Sequence, residues 1–426
     1  MRIPRLVLIS LTAPLLPFML IGCGRTTIIN DLGSPGNPQP GGSGSTAAFV
    51  YVVSQSTSGT PNQVVAFTAD ANGLLTAVPG SPFNQDVTSI AANGKYLMAT
   101  ANSQPDINTY TIALNGAPTL ATQFNYGQDA GYRSNIDTTC GGMGGLLFDH
   151  SGQSLYAAVG NINCSSNNAI ASFAVDPSTG SLSYLGNVNI GYNSSSDIAF
   201  LGTNDFAYSA LPGMYWSVMS FERGSNGMLD RNGSFTSVHL MAAPPGSSLG
   251  LINGYTPGLT GTDTANHVAI AEYPDFTVNG APQPVQLASY TADANGNLST
   301  NDTYATMPAT SVTTPLDLEI SSSGTLLAVG GVGGLQVFHF NGANSITGFT
   351  SLLTADSISG MSWDNSNHLY AFTLTGAAYG SNSVSPGKLH VFSVTNTTAS
   401  EAPGSPYTIP TPVAIAVQPA VAAQPD

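Results

Sequence analysis

Three patterns in the sequence have residue types that chemistry could use. Gly246-Ser247-Ser248-Leu249-Gly250 has the G-x-S-x-G spacing that sets a nucleophilic serine, here Ser248, on a turn between a strand and a helix. It follows Ala242-Ala243-Pro244-Pro245 and no helix signal comes after it, so an ordinary loop is expected. Asp70-Ala71-Asn72-Gly73 and Asp293-Ala294-Asn295-Gly296 resemble the start of a calcium loop but lack its alternating ligands and distal Glu; they read as hairpin turns. The six histidines (His150, His239, His267, His339, His368, His390) are dispersed without HxH or HExxH spacing, so neither a metal nor a cofactor is expected. His239 stays a candidate because it opens a long loop.

The elements that must position these residues come from a repeat. Val64 to Thr76, VVAFTADANGLLT, is a strand, a tight Asp/Asn-Gly turn and a return strand. The same hairpin returns at 107–120, 170–183, 218–230, 287–299, 335–348 and 389–400, the last without its turn glycine. A second hairpin type alternates with it, at 89–102, 146–160, 197–210, 258–271, 317–331 and 360–373. Each pair makes a four-stranded antiparallel unit, and such units repeated around an axis are β-propeller blades. Phe49 to Ser54 begins at the second strand of a blade, and Thr411 to Pro419, TPVAIAVQP, matches the first-strand phrase TPLDLEIS at 314–321. The expected fold is therefore all-β: a seven-bladed propeller over residues 46–420, closed by the C-terminal strand completing the N-terminal blade, with a short tail at 421–426.

The aromatic-Asp-Asn-Gly-Leu hairpins, the phrase Val78-Pro79-Gly80-Ser81-Pro82-Phe83 and its echo Pro403-Gly404-Ser405-Pro406-Tyr407 resemble the lactonase-type seven-bladed propellers, the phosphogluconolactonase-like and YVTN-repeat proteins. That resemblance implies the fold and, as one expectation, lactone hydrolysis. No motif here matches a family site, so no catalytic residue is carried over.

In a four-stranded meander, alternate connections emerge on opposite faces. Tight turns such as Asn93-Gly94 and Ser323-Gly324 mark a plain face, and the long insertions at 125–142, 162–168, 239–257, 272–284 and 374–388 mark the other. Binding is expected on that loop-rich face, where Asp129, Tyr132, Arg133, Asp137, Tyr215, Trp216, His239, Tyr255 and Asp275 offer stacking surfaces and hydrogen-bonding groups. Cys140 and Cys164 fall on the same face and read as a disulfide in an exported protein.

Export is expected because Arg2 and Arg5 precede an apolar run from Leu6 to Ile21 that is broken by Pro14 and Pro17. Leu20-Ile21-Gly22-Cys23 resembles a bacterial lipobox, which implies cleavage after residue 22, acylation of Cys23 and membrane contact through lipid only, with Gly24 pointing to the outer membrane. Residues 24–45 are rich in Gly, Pro, Ser and Asn and read as a tether. Lys plus Arg number 8 against 23 Asp plus Glu, a net charge of −15 that repels nucleic acid and anionic lipid. The scarcity of cations also argues against a phosphorylated sugar acid. Two functions fit: a scaffold that binds a protein, glycan or other uncharged ligand, or a lactone hydrolase in which Asp129 or Asp137 activates water and Arg133 stabilises the oxyanion.

Overall fold

A computed structural model describes residues 46–56, 60–102, 106–135, 143–159, 168–191, 198–211, 217–231, 242–250, 254–375 and 386–419. The chain is all-β, built from four-stranded antiparallel meanders. The first sheet joins both ends of the described chain, with Pro412–Pro419, Thr46–Ser54, Gln63–Asp70 and Leu75–Ala77 in order. Thr46–Ser54 and Pro412–Pro419 pair antiparallel with Tyr51 opposite Ala416, as the matching first-strand phrase predicts. The second sheet is Val87–Ala92, Tyr96–Ala101, Ile107–Ile112 and Pro118–Phe124, and the third is Met143–Phe148, Ser154–Val159, Asn168–Val175 and Leu182–Gly191. The fourth is Ala199–Phe200, Phe206–Leu211, Ser217–Arg223 and Leu229–Arg231, and the fifth is Tyr255–Thr262, His267–Pro274, Gln286–Ala292 and Leu298–Ser299. The sixth is Thr314–Ile320, Leu326–Val332, Gly334–Asn341 and Asn344–Gly348, and the seventh is Ile358–Trp363, His368–Thr373, Lys388–Val394 and Ala399–Glu401.

Central strands are apolar on both faces because each sheet is covered on both sides. The buried residues fall into clusters shared by consecutive sheets, such as Tyr51, Ile90 and Leu97 between the first and second. Another, Val50, Ile415, Tyr370 and Val391, joins the seventh sheet to the first. At about 1.5–3 kcal/mol per large buried side chain, this packing dominates the stability of the body.

The turn glycines of the recurrent hairpin serve these junctions. Tyr51 Oη donates to the carbonyl of Gly116 at 2.8 Å, Tyr156 Oη to Gly227 at 2.7 Å and Tyr208 Oη to Gly296 at 2.9 Å, each reaching from one sheet to the turn of the next. Thr109 Oγ1 donates to Gly180 at 3.0 Å, and Ser289 Oγ to Gly342. The seventh sheet reaches the first through Ser393 Oγ, 3.5 Å from the carbonyl of Asn72. A Cβ at Gly116, where φ is +84°, would lie 2.5 Å from Phe49 Cδ1, so only glycine lets this turn dock.

The two Pro-Gly-Ser-Pro phrases close the first and seventh sheets by one device. Ser81 Oγ accepts from Ala66 N at 2.9 Å and Ser405 Oγ accepts from Val391 N at 2.8 Å, supplying a partner for the third strand beyond its short outer neighbour. Two insertions expected to be plain loops carry structure. Ala130–Asn135 is a short helix, and Ser248–Leu249, Phe276–Val278 and Ala281–Pro282 form a small additional sheet.

Candidate functional site

The first strands of the sheets share one irregularity near the ends that meet the long connections. In six sheets this strand has an extra residue near its start, at Val413, Thr88, within Gly144-Gly145, at Gly258, at Leu316 and at Ser359. Bulges of this kind kink a strand at a rim and re-aim side chains there. None of these residues is ionisable. The nearest carboxylate, Asp317, is buried, its Oδ2 accepting from Met361 N at 2.6 Å and its Oδ1 from Leu318 N at 2.8 Å.

The residues nominated from sequence separate into two places. Asp129, Tyr132 and Arg133 lie together at the helix Ala130–Asn135, on the crossover between the second and third sheets. Asp129 Oδ1 accepts from Tyr132 N at 2.8 Å, which makes the carboxylate a helix cap. Arg133 is exposed. Tyr132 is not a surface stacking residue: it is 0% exposed, edge-on to Phe124 at 5.7 Å and to Tyr184 at 5.2 Å. Tyr132 packs between Phe124 of the second sheet and Phe173 of the third, and this burial raises its hydroxyl pKa.

Tyr255 is likewise a core residue. It is 0% exposed, edge-on to Phe276 at 5.1 Å, and donates to Gln286 Oε1 at 2.6 Å. Asp275 is half-buried beside it, with its backbone N–H given to Gly254 O at 2.8 Å and its carbonyl taking Gly250 N at 2.7 Å. Its carboxylate explains the last glycine of G-x-S-x-G, since a Cβ at Gly250 would lie 2.1 Å from Asp275 Oδ1. Ser248 is exposed in a two-residue strand opposite Thr277, which is no strand-to-helix turn. Asp137, Tyr215, Trp216, His239, Cys23, Cys140 and Cys164 lie outside the described residues.

Two groups on the loop-rich side were not nominated. Glu272 is 2% exposed near the end of the second strand of the fifth sheet, and Tyr290 Oη donates to it at 2.8 Å. Burial pushes its carboxyl up to about 7, against the opposing pull of that hydrogen bond. A lone acid inside the apolar run HVAIAEYP was the signal for it.

The second group surrounds His390. Nδ1 is 2.8 Å from Glu401 Oε1 and Nε2 is 3.1 Å from Asp356 Oδ2, which also takes Lys388 Nζ at 2.6 Å. Burial pushes Asp356 upward, but the bonds from Lys388 and His390 outweigh it and hold the carboxyl low. Lys388 and His390 alternate on one strand face, a spacing legible in Lys388-Leu389-His390. Both ring nitrogens of His390 lie within hydrogen-bond distance of carboxylates, so the imidazole is held inside this network.

Four of the five described cations are committed in the same way; Arg133, the fifth, is exposed. Lys388 is paired to Asp356, Arg223 to Asp149 at 2.7 Å, Lys95 to Pro177 O at 2.7 Å, and Arg231 to Asn189 O. Among the described residues no group of His, Cys, Asp and Glu could hold a metal ion, and no helix is long and apolar enough to cross a membrane.

No family model matches the chain. A search of curated proteins finds no match either. Solved structures do match. A Bacteroides uniformis protein provisionally named a 6-phosphogluconolactonase is 9% identical, with a TM-score of 0.60 over 88% of this chain and 100% of that one. A second such protein, from Bacteroides fragilis, is 11% identical with a TM-score of 0.58 over 89% and 99%. A Lactobacillus plantarum protein is 13% identical with a TM-score of 0.58 over 88% and 99%. At these identities the likeness is one of fold: the chain shares the β-propeller architecture of these structures.

Proposed function

We propose that this chain is an exported, lipid-anchored seven-bladed propeller whose loop-rich face binds an uncharged ligand or a partner protein. Ring closure is supported by the pairing of Thr46–Ser54 with Pro412–Pro419 and by the apolar cluster joining the seventh sheet to the first. The binding reading is carried by one observation. On the described part of the loop-rich face the ionisable side chains are engaged in internal bonds, Asp129 as a helix cap, Asp317 on backbone N–H groups and Lys388 on Asp356, with Arg133 the exposed cation. A phosphorylated sugar acid needs a cluster of available cations, and such a surface offers none.

Lactone hydrolysis is the second reading, favoured by the provisional names of the structural neighbours and by a carboxyl at Glu272 poised near neutrality. The version built on Asp129 is weakened by the capping role of that carboxylate. A panel of phosphorylated and unphosphorylated lactones assayed with purified protein separates the two. Binding without turnover is expected; turnover abolished by Arg133→Ala would overturn the proposal.

A further inference from the structure

The strand Thr46–Ser54 is the second of its sheet, and second strands start on the plain face. The chain coming from Cys23 therefore meets the body on the face opposite the long loops. Two hairpin tips flank that point. Thr46 is in register with Asp70, whose Oδ1 takes the N–H of Leu74 at 3.0 Å. Phe49, three residues after Thr46, packs against Gly116 of the turn that carries Leu114.

Leu114 is 99% exposed and Leu74 is 40% exposed. The exposed large apolar residues of the described chain are Leu74, Leu114, Leu120 and Leu249, and the first three belong to these two adjoining sheets. Leu120 lies within the strand Pro118–Phe124, whereas Leu74 and Leu114 sit on the two turns that flank Thr46; one exposed leucine needs no explanation, but two on turns beside a point of attachment do. Between Cys23 and Thr46 lie 22 residues, so an anchor at Cys23 tethers Thr46 within about 80 Å of the bilayer even at full extension.

We propose that the plain face, at the turns carrying Leu74 and Leu114, docks on the lipid surface and points the loop-rich face away from the membrane. This rests on acylation of Cys23. The acidic balance of the chain selects a zwitterionic surface, and transfer of one leucine into the interface contributes roughly tenfold or more in partition.

The test uses full-length protein extracted from membranes and reconstituted into phosphatidylcholine vesicles with brominated acyl chains, which quench nearby indoles. Leu114→Trp and Leu249→Trp variants, each read against the parent protein, place a reporter on the plain face and on the loop-rich face. Loss of emission at position 114 with none at 249 is expected. Equal quenching, quenching at 249 alone, or none at 114 would overturn the orientation. Mass measurement of the N-terminal peptide reads acylation separately: an unmodified Cys23 defeats the anchor, while the quenching contrast still decides which face meets lipid.

Discussion

Replacing Glu272 by Gln tests whether a buried carboxyl controls the pH dependence of stability. In the folded chain the group is 2% exposed, and burial pushes its carboxyl up to about 7 from the ordinary value of about 4.5. That difference corresponds to roughly 3 kcal/mol favouring the protonated form in the fold. Because the folded value is the higher one, its contribution is fully present below about 4.5. It is lost as pH rises toward 7 and is gone once the carboxyl ionises in the folded chain too. Gln is isosteric with the protonated acid and its Oε1 still accepts from Tyr290 Oη, so the variant keeps the hydrogen bond and loses the titration. Denaturant unfolding of both proteins from pH 4 to 8.5, in about unit steps, should give curves that diverge above pH 5. The variant should be the more stable at pH 8, by up to about 3 kcal/mol. Parallel profiles across that range would refute the reasoning, because the carboxyl would then titrate alike in both states.

Gly116→Ala places a Cβ 2.5 Å from Phe49 Cδ1 at a φ of +84°, so a destabilisation of about 2–4 kcal/mol is expected by denaturant unfolding. Gly348→Ala, where a Cβ meets nothing within 4 Å, serves as the control. Cys140 and Cys164 are expected to take alkylating reagent only after reduction, read as a mass shift; labelling of the unreduced protein would remove the bridge.

The fold was legible in the sequence for a local reason. Each repeat must turn tightly, and Asp-Ala-Asn-Gly at 70–73 and 293–296 announces that requirement in the residue types themselves. The phrase at 411–419 likewise identified its strand because first strands share a pattern. Burial in a crossover has no such signature. Tyr132 and Tyr255 stand in or beside long insertions, a position that suggests surface aromatics, yet one packs between two sheets and the other begins a strand. Glu272 opens the insertion that the sequence suggests at 272–284, whereas the strand runs on to Pro274 and takes it into the core. The network of His390, Asp356 and Glu401 joins residues up to 45 positions apart in the chain, and only pairing of the seventh sheet brings them together.

The hydrogen bonds from Tyr51, Tyr156 and Tyr208 to the turn glycines of neighbouring sheets also bear on how such a chain can change over evolutionary time. A turn that is already its neighbour's bonding partner has a fixed length, for an inserted residue would move the carbonyl and break a junction elsewhere in the molecule. Sheets also meet at the other end of the strands, as where Tyr273 Oη donates to the carbonyl of Pro315 at 3.1 Å, but there the bond runs from a strand residue and not from a two-residue turn. The long connections of this chain stand at that end, while the turns of the plain face keep their repeating form.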